Sequence, residues 1–202
     1  MSAQIAGTGG ERPRGRPPRT SLDAIAEAVI ACGFDRATTG EIAAQVGVDQ
    51  STLYGYVTNR AELLHIGAEK AVAGLAWPTI EGDDWRSYLR ACSEQLWDLY
   101  RSHPGLAGYI RGVETIPSEI AARGGDVVQV LLEHVNRTPR EAAIIVTTFG
   151  DLIIDSFLTT ERTARSRPVY IEDAITPDDP PGTWWRDKIE LLLDGIAYRL
   201  ER

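Results

Sequence analysis

Residues 39–64 read TGEIAAQVGVDQSTLYGYVTNRAELL, and the way this stretch breaks into short helices decides the fold. Ile42, Ala43 and Val46 fall on one helical face, with Thr38 or Thr39 in position to cap the start. Gly47 ends that helix, Val48 follows as an apolar turn residue, and Asp49 is placed to cap a third short helix over residues 50–57. Leu53 and Val57 of that helix face inward at a four-residue step. Upstream, Leu22, Ile25, Ala26, Val29 and Ile30 predict a helix over residues 22–32, between Ser21 as cap and Gly33 as stop. Two short helices joined by a glycine turn match helix-turn-helix geometry, in which the second helix reads. Its outward residues are Gln50, Ser51, Thr52, Tyr54 and Tyr56, uncharged hydrogen-bonding groups suited to base edges or phosphates. The competing reading of the same residues is an ordinary helical corner with a solvated polar face.

The formal charge of −8 over 202 residues argues at first against a phosphate-rich partner, because binding phosphates takes Lys and Arg. The average hides an asymmetry. Residues 1–60 hold six Arg against six Asp and Glu, whereas residues 61–202 hold 15 basic against 23 acidic residues. Within residues 11–20, ERPRGRPPRT, four Arg stand against one Glu, and the prolines forbid a helix. Residues 1–20 therefore read as a flexible basic arm.

Beyond Asn59 the periodicity stays helical and no strand alternation or internal repeat occurs. Leu63, Leu64, Ile66 and Val72 predict a helix over residues 61–75. Asp83 and Asp84 then open a strongly amphipathic helix carrying Trp85, Tyr88, Leu89, Cys92, Leu96, Leu99 and Tyr100, which His103-Pro104-Gly105 ends. Pro117 opens a helix weakened at Gly124-Gly125. Thr138-Pro-Arg-Glu141 is a capping box that starts a long apolar helix to about Thr160, and Thr183 caps a last one. The small residues Gly150 and Gly195 would let these two helices approach others closely. Thr147, Asp151 and Asp155 form a polar stripe on the long helix, open to a cationic ligand, to an arginine of a second subunit, or to solvent.

Composition narrows the function classes. No apolar run reaches the roughly 18 residues that span a bilayer, and the N-terminus lacks the apolar core of a signal peptide, so a soluble, cytoplasmic protein without a membrane partner is expected. Two cysteines, Cys32 and Cys92, and three scattered histidines offer neither a disulfide framework nor a metal-enzyme ligand set. No nucleophile motif, H-E-x-x-H or phosphate loop occurs. The expectation is a non-enzyme with no metal and no cofactor.

Residues 39–64 strongly resemble the N-terminal DNA-binding domain of tetracycline-repressor (TetR) family regulators. The resemblance is firm over residues 20–66 and looser beyond, where Glu81-Gly-Asp-Asp-Trp-Arg-Ser-Tyr-Leu-Arg90 and Ser102-His103 are similar to the ligand-binding domain of the tetracycline repressor branch. It implies an all-α chain in which the arm, residues 1–20, precedes a helix-turn-helix domain, residues 21–66. A larger helical ligand-binding and dimerisation domain, residues 67–202, follows. It also implies a homodimer that presents two reading helices to a palindromic double-stranded DNA operator. Carried over residue by residue, Gln50, Ser51 and Tyr54 stand where family members reach bases, and Thr39, Thr52, Tyr56 and Arg60 where they hold phosphates. Gly55 departs from the larger residue usual there. Arg14-Gly15-Arg16-Pro17 resembles the minor-groove AT-hook core, so Arg14 and Arg16 are expected in an A/T-rich groove; a disordered solubilising tail is the alternative.

The family places a small-molecule effector among the middle helices, which makes Trp85, Tyr88, Trp97, Tyr100, Tyr109 and Phe149 the expected cavity lining. Ile110 and Val113 stand where the tetracycline repressor uses a histidine and a threonine around the drug and its magnesium, so no metal is assigned. The expected function is a homodimeric transcriptional repressor released from its operator by a small molecule. The alternatives are a ligand-dependent activator, a corepressor-type regulator, or a small-molecule-binding protein without a DNA role.

Overall fold

The computed structural model describes residues 20–163 and 184–198, which form helices and turns with no strand among the described residues. The first group comprises α1 (Leu22–Cys32), α2 (Thr39–Val46), α3 (Gln50–Leu53) and α4 (Arg60–Ala73). The second comprises α5 (Trp85–Ser102), α6 (Leu106–Gly112), α7 (Ser118–His134), α8 (Pro139–Thr163) and α9 (Trp185–Tyr198).

Local capping chemistry sets most of the boundaries. Ser21 Oγ accepts from the Ala24 N–H at 3.1 Å, satisfying one of the donors a helix start leaves unpaired. At α2 the cap is Thr38: its hydroxyl accepts from the Glu41 N–H at 3.2 Å while the Glu41 carboxylate accepts from the Thr38 N–H at 2.9 Å. The Thr38 hydroxyl and N–H hold the Glu41 carboxyl below the usual carboxylate range. Gly47 then takes φ 76° and ψ 33°, and the N–H groups of Val48 and Gly47 bond Ala43 O and Ala44 O at 3.0 and 3.1 Å. Only glycine adopts that left-handed conformation without penalty, and the paired bonds stop the helix and turn the chain.

Two local expectations are corrected. The third helix was expected over residues 50–57, but regular helix ends at Leu53. Gly55 N–H and Tyr56 N–H bond Thr52 O and Leu53 O in tighter three-residue turns, because Gly55 supplies little helix propensity at the end of a very short element. Asp49 occupies the cap position, yet its side chain makes no capping bond. Elsewhere, Gly124-Gly125 leaves α7 unbroken from Ser118 to His134. The Thr138–Glu141 box forms as read, at 3.0 and 3.3 Å. Thr183, expected to cap the last helix, lies outside the described residues.

Packing assembles these elements around two linked groups of buried side chains. Ile25, Val29, Ile42, Leu53 and Leu63 are fully buried, and α1 lies along α4. At Gly67 the two are so near that an added Cβ would stand 2.5 Å from Val29 Cγ1. α4 runs unbroken through residue 66, where the domain border was expected, and its second half also meets α7. In the second group Trp97 stacks on Trp185 at 4.6 Å and meets Phe157 edge-on at 5.1 Å, joining α5, α8 and α9. Outside this core an ion-pair ladder fixes the register of α5 on α9: Arg86 with Asp194, Arg90 with Glu190 at 2.5 and 2.8 Å, and Arg186 with Glu94 at 2.7 and 2.9 Å. The pairs at Arg90 and Arg186 are bidentate, which adds directional specificity to a modest net energy.

Within α8, Pro139–Arg162 is long and apolar enough to cross a membrane by length and composition, at mean hydropathy 1.6. Its Phe149, Ile153, Ile154 and Phe157 are buried in this chain's own core, so those apolar residues serve tertiary packing.

Gly67→Ala should destabilise the fold by about 1–3 kcal/mol through overpacking against Val29. Gly108→Ala, on an exposed helical position with nothing within 4 Å, should instead be neutral or stabilising by up to about 1 kcal/mol. Urea denaturation followed by helical circular dichroism separates the two; equal effects would mean that α1 and α4 are less closely packed.

Candidate nucleic-acid interface and small-molecule cavity

α2 and α3 present one polar face. Gln50, Ser51 and Tyr54 are exposed, Tyr54 to 52%, while Thr39 and Thr52 are half-buried beside them. Gln50 Nε2 lies over the first turn of α2, close enough to Gly40 that a Cβ there would stand 2.7 Å away. The face is uncharged, with an amide, hydroxyls and a phenol ring as its hydrogen-bonding groups. Two residues expected to hold phosphates are already engaged with the backbone: Tyr56 OH donates to Thr20 O at 2.8 Å and Arg60 Nε donates to Ala37 O at 2.8 Å. Tyr56 thereby ties the entry to α1 to the turn after α3, and Arg60 ties the start of α4 to the loop before α2. Arg14 and Arg16 lie outside the described residues.

A cavity of about 650 Å³ opens between α5, α6, α7 and α8, within the size range of small-molecule sites. Its wall is largely apolar, with Leu96, Tyr100, Ile120, Val127, Phe149 and Ile154 among its residues. Of the six aromatics expected to line it, Tyr100 and Phe149 do so and four do not. Trp97 is taken by the Trp185 stack. Trp85 is half-buried with Arg86 over its ring at 5.6 Å. Tyr88 is buried beside Cys92, where burial pushes its phenol up. Tyr109 packs against Phe34, ring centroids 5.8 Å apart. These rings were diverted to core and junction because burial of a large aromatic face is available there without a ligand.

The polar wall groups come from other residues. Arg111 bonds Asp151 at 2.9 Å and Asp155 at 3.0 Å, so the acidic stripe on α8 meets an arginine of α6 in the same chain. Thr147 turns its hydroxyl to its own helix carbonyls at Ala143 and Ile144. Gly150, expected to serve helix contact, lies on the cavity wall with nothing within 4 Å of an added Cβ.

Besides the Phe34–Tyr109 ring contact, two hydrogen-bonded contacts among the described residues join the cavity walls to the first four helices. Phe34 N–H donates to Pro104 O at 2.9 Å, and Gly105, at φ 81°, comes so near that a Cβ would stand 2.4 Å from Asp35 N. Only glycine allows that approach between the loop after α1 and the turn into α6. The second contact is a clamp: the Glu69 carboxylate of α4 accepts from Ser118 N–H, Ser118 Oγ and Glu119 N–H at 2.6, 2.9 and 3.0 Å. It caps the start of α7, where unpaired N–H groups and the helix dipole favour a negative charge.

Residues 22–65 match the family described as bacterial regulatory proteins, tetR family. Over 194 residues the chain is 27% identical to the HTH-type transcriptional repressor DrrR1 of Streptomyces coeruleorubidus, covering 93% of this chain and 69% of that protein. Residues 22–65 are thus similar to the N-terminal segment of tetR-family regulators. Two solved structures share the fold. One is Streptomyces coelicolor ActR in complex with actinorhodin, at TM-score 0.73 and 17% identity over 91% of this chain and 99% of that one. The other is BioQ with its double-stranded DNA operator, at TM-score 0.59 and 17% identity over 88% and 95%.

The sequence pattern singled out the exposed α2–α3 face readily, because its signals are local. It missed Glu69, whose partners lie 49 and 50 positions away, and the wall arginines Arg111 and Arg123. Gly124 and Gly125 were a usable signal: two glycines inside an otherwise regular helix leave space, and both lie on the cavity wall.

Burial works to raise the Glu69 carboxyl, but the bonds from Glu119 and Ser118 outweigh it and hold it below the usual carboxylate range. A carboxylate lowered in this way lends stability above its unfolded pKa and loses it as the pH falls through the native one. Glu69→Ala should therefore reduce amide protection at Ser118 and Glu119 while leaving α1 protected. The wild-type protein should lose the same protection only in acid, below the ordinary carboxylate range. Hydrogen exchange, corrected for intrinsic rates, checks this; unchanged protection in the variant would remove the clamp from the account.

Proposed function

We propose that the protein is a homodimeric, sequence-specific DNA-binding repressor that a small molecule in the α5–α8 cavity releases from a palindromic operator. The observation that carries this reading is the pair of joints between cavity and reading face. α6 begins at the turn that meets Asp35, and α7 begins in the Glu69 clamp of α4, while α4 packs on α1 at Gly67. A ligand that moves α6 or α7 acts on the element that carries the reading unit. Two half-sites about 34–36 Å apart demand a set spacing of the two reading helices, so a ligand that prefers another spacing shifts the population away from the DNA-bound form.

Gln50, Ser51 and Tyr54 are the proposed base-contacting groups, with Thr39 and Thr52 beside them on phosphates. Tyr56 and Arg60 act chiefly by fixing the unit, given their bonds to Thr20 and Ala37. Arg14 and Arg16 precede the Tyr56-held residue Thr20, so an arm bearing them starts next to the reading unit and serves the adjacent minor groove. Likeness to the repressor DrrR1 supports repression as the sign of the response. For the dimer, support comes from α9: Leu191, exposed to 73%, and Tyr198 stand on one stripe with Gly195, where nothing lies within 4 Å of an added Cβ. Such a stripe suits close packing against a second copy.

Selection of bound sequences from random duplex DNA should enrich a palindrome, and Tyr54→Ala should weaken binding to it about tenfold while retaining the fold. Failure to enrich any sequence, with or without ligands, would sink the reader assignment. Separately, Leu191→Glu should convert a sedimenting dimer to monomer and abolish operator binding with the cavity intact. A dimer that survives the substitution would place the interface elsewhere.

A further inference from the structure

The cavity wall carries two arginines in different states. Arg111 is neutralised by two carboxylates, Asp151 and Asp155. Arg123, on α7 and 28% exposed, has an Nη1 contact to Asp126 at 3.5 Å, the limit of a hydrogen bond. Its Nε is buried and has no hydrogen-bond partner among the described residues. The guanidinium thus keeps donor capacity that Asp126 leaves largely unused, and its Nη groups can offer an oxyanion two parallel donors. The neighbours along the wall are apolar: Tyr100, Ile120, Val127 and Phe149. In such surroundings a charge-assisted bond is less weakened by water than at the surface.

We propose, resting on the reading of the cavity as the effector site, that the effector is a largely apolar, drug-sized molecule bearing one oxyanion, and that Arg123 receives it. Carboxylate, sulfonate and ionised phenol share the required chemistry. The wider protein does not favour an anion: its formal charge is −8. Discrimination for the charged group is therefore local to Arg123, and the apolar wall supplies affinity for the remaining frame. Arg111, held by Asp151 and Asp155, shapes the rim and contributes little net charge.

Two fluorescent probes test this on the full-length protein. 8-Anilinonaphthalene-1-sulfonate and N-phenyl-1-naphthylamine share a ring frame, and only the first carries an anion. Arg123→Gln should weaken the sulfonate probe about tenfold to a hundredfold and change the neutral probe by less than about twofold, with Arg123→Lys intermediate for the sulfonate. Equal losses for both probes would make Arg123 a structural residue, and an unchanged sulfonate affinity would put the anion elsewhere; either overturns the assignment. Gly150→Phe, which fills space on the wall, should abolish binding of both probes. If both still bind that variant at wild-type affinity, the cavity reading itself fails and the Arg123 assignment falls with it, an outcome distinct from failure at Arg123 alone.

Discussion

Val29 rests on the bare backbone of Gly67, and the arrangement of the whole molecule depends on that contact. It draws α1 onto α4 more closely than any side chain at residue 67 would permit. Because α4 continues past this point, the same helix reaches α7 and offers Glu69 to its first turn. One rigid element is thus shared between the exposed polar face and the cavity wall. Packed interiors yield little to small displacements, so a shift at either end of α4 is carried along it as a rigid body.

The acid excess of the second part has a structural use. Glu94, Glu190 and Asp194 are matched by Arg186, Arg90 and Arg86 in the α5–α9 ladder, and Asp151 and Asp155 by Arg111. Each exposed pair is weak singly, but a ladder of three pairs, with arginine on α5 in two and on α9 in the third, penalises any slipped register of α9 on α5. The surface that would face DNA is left with hydroxyls, an amide and a phenol. Net charge is therefore a poor description of that face, because the excess of acid lies in residues 61–202.

The cavity exists because glycine and aromatic residues divide the interior between them. Trp97, Trp185 and Phe157 fill the space between α5, α8 and α9, while Gly124, Gly125 and Gly150 leave the space between α7 and α8 unfilled. Residues that look like ligand contacts by size became core, and residues that look like helix defects became cavity wall. Junction packing claimed Tyr109 for Phe34 in the same way.

What the sequence determined by itself was local. Ser21, Thr38 with Glu41, and Thr138 with Glu141 specify helix starts within four residues, and Gly33 and Gly47 specify stops, since caps and left-handed turns are satisfied by near neighbours. Helix-turn-helix character and the exposed Gln50, Ser51 and Tyr54 were legible for that reason. Only the tertiary structure decided that Tyr56 and Arg60 bond backbone, and that Tyr100 and Phe149 rather than Trp97 or Tyr109 line the cavity. It alone brought Glu69 to Ser118 and Arg111 to Asp151. Those outcomes depend on which surfaces meet across tens of residues of chain, and a side chain's periodic position says which face it occupies, not what will be packed against that face.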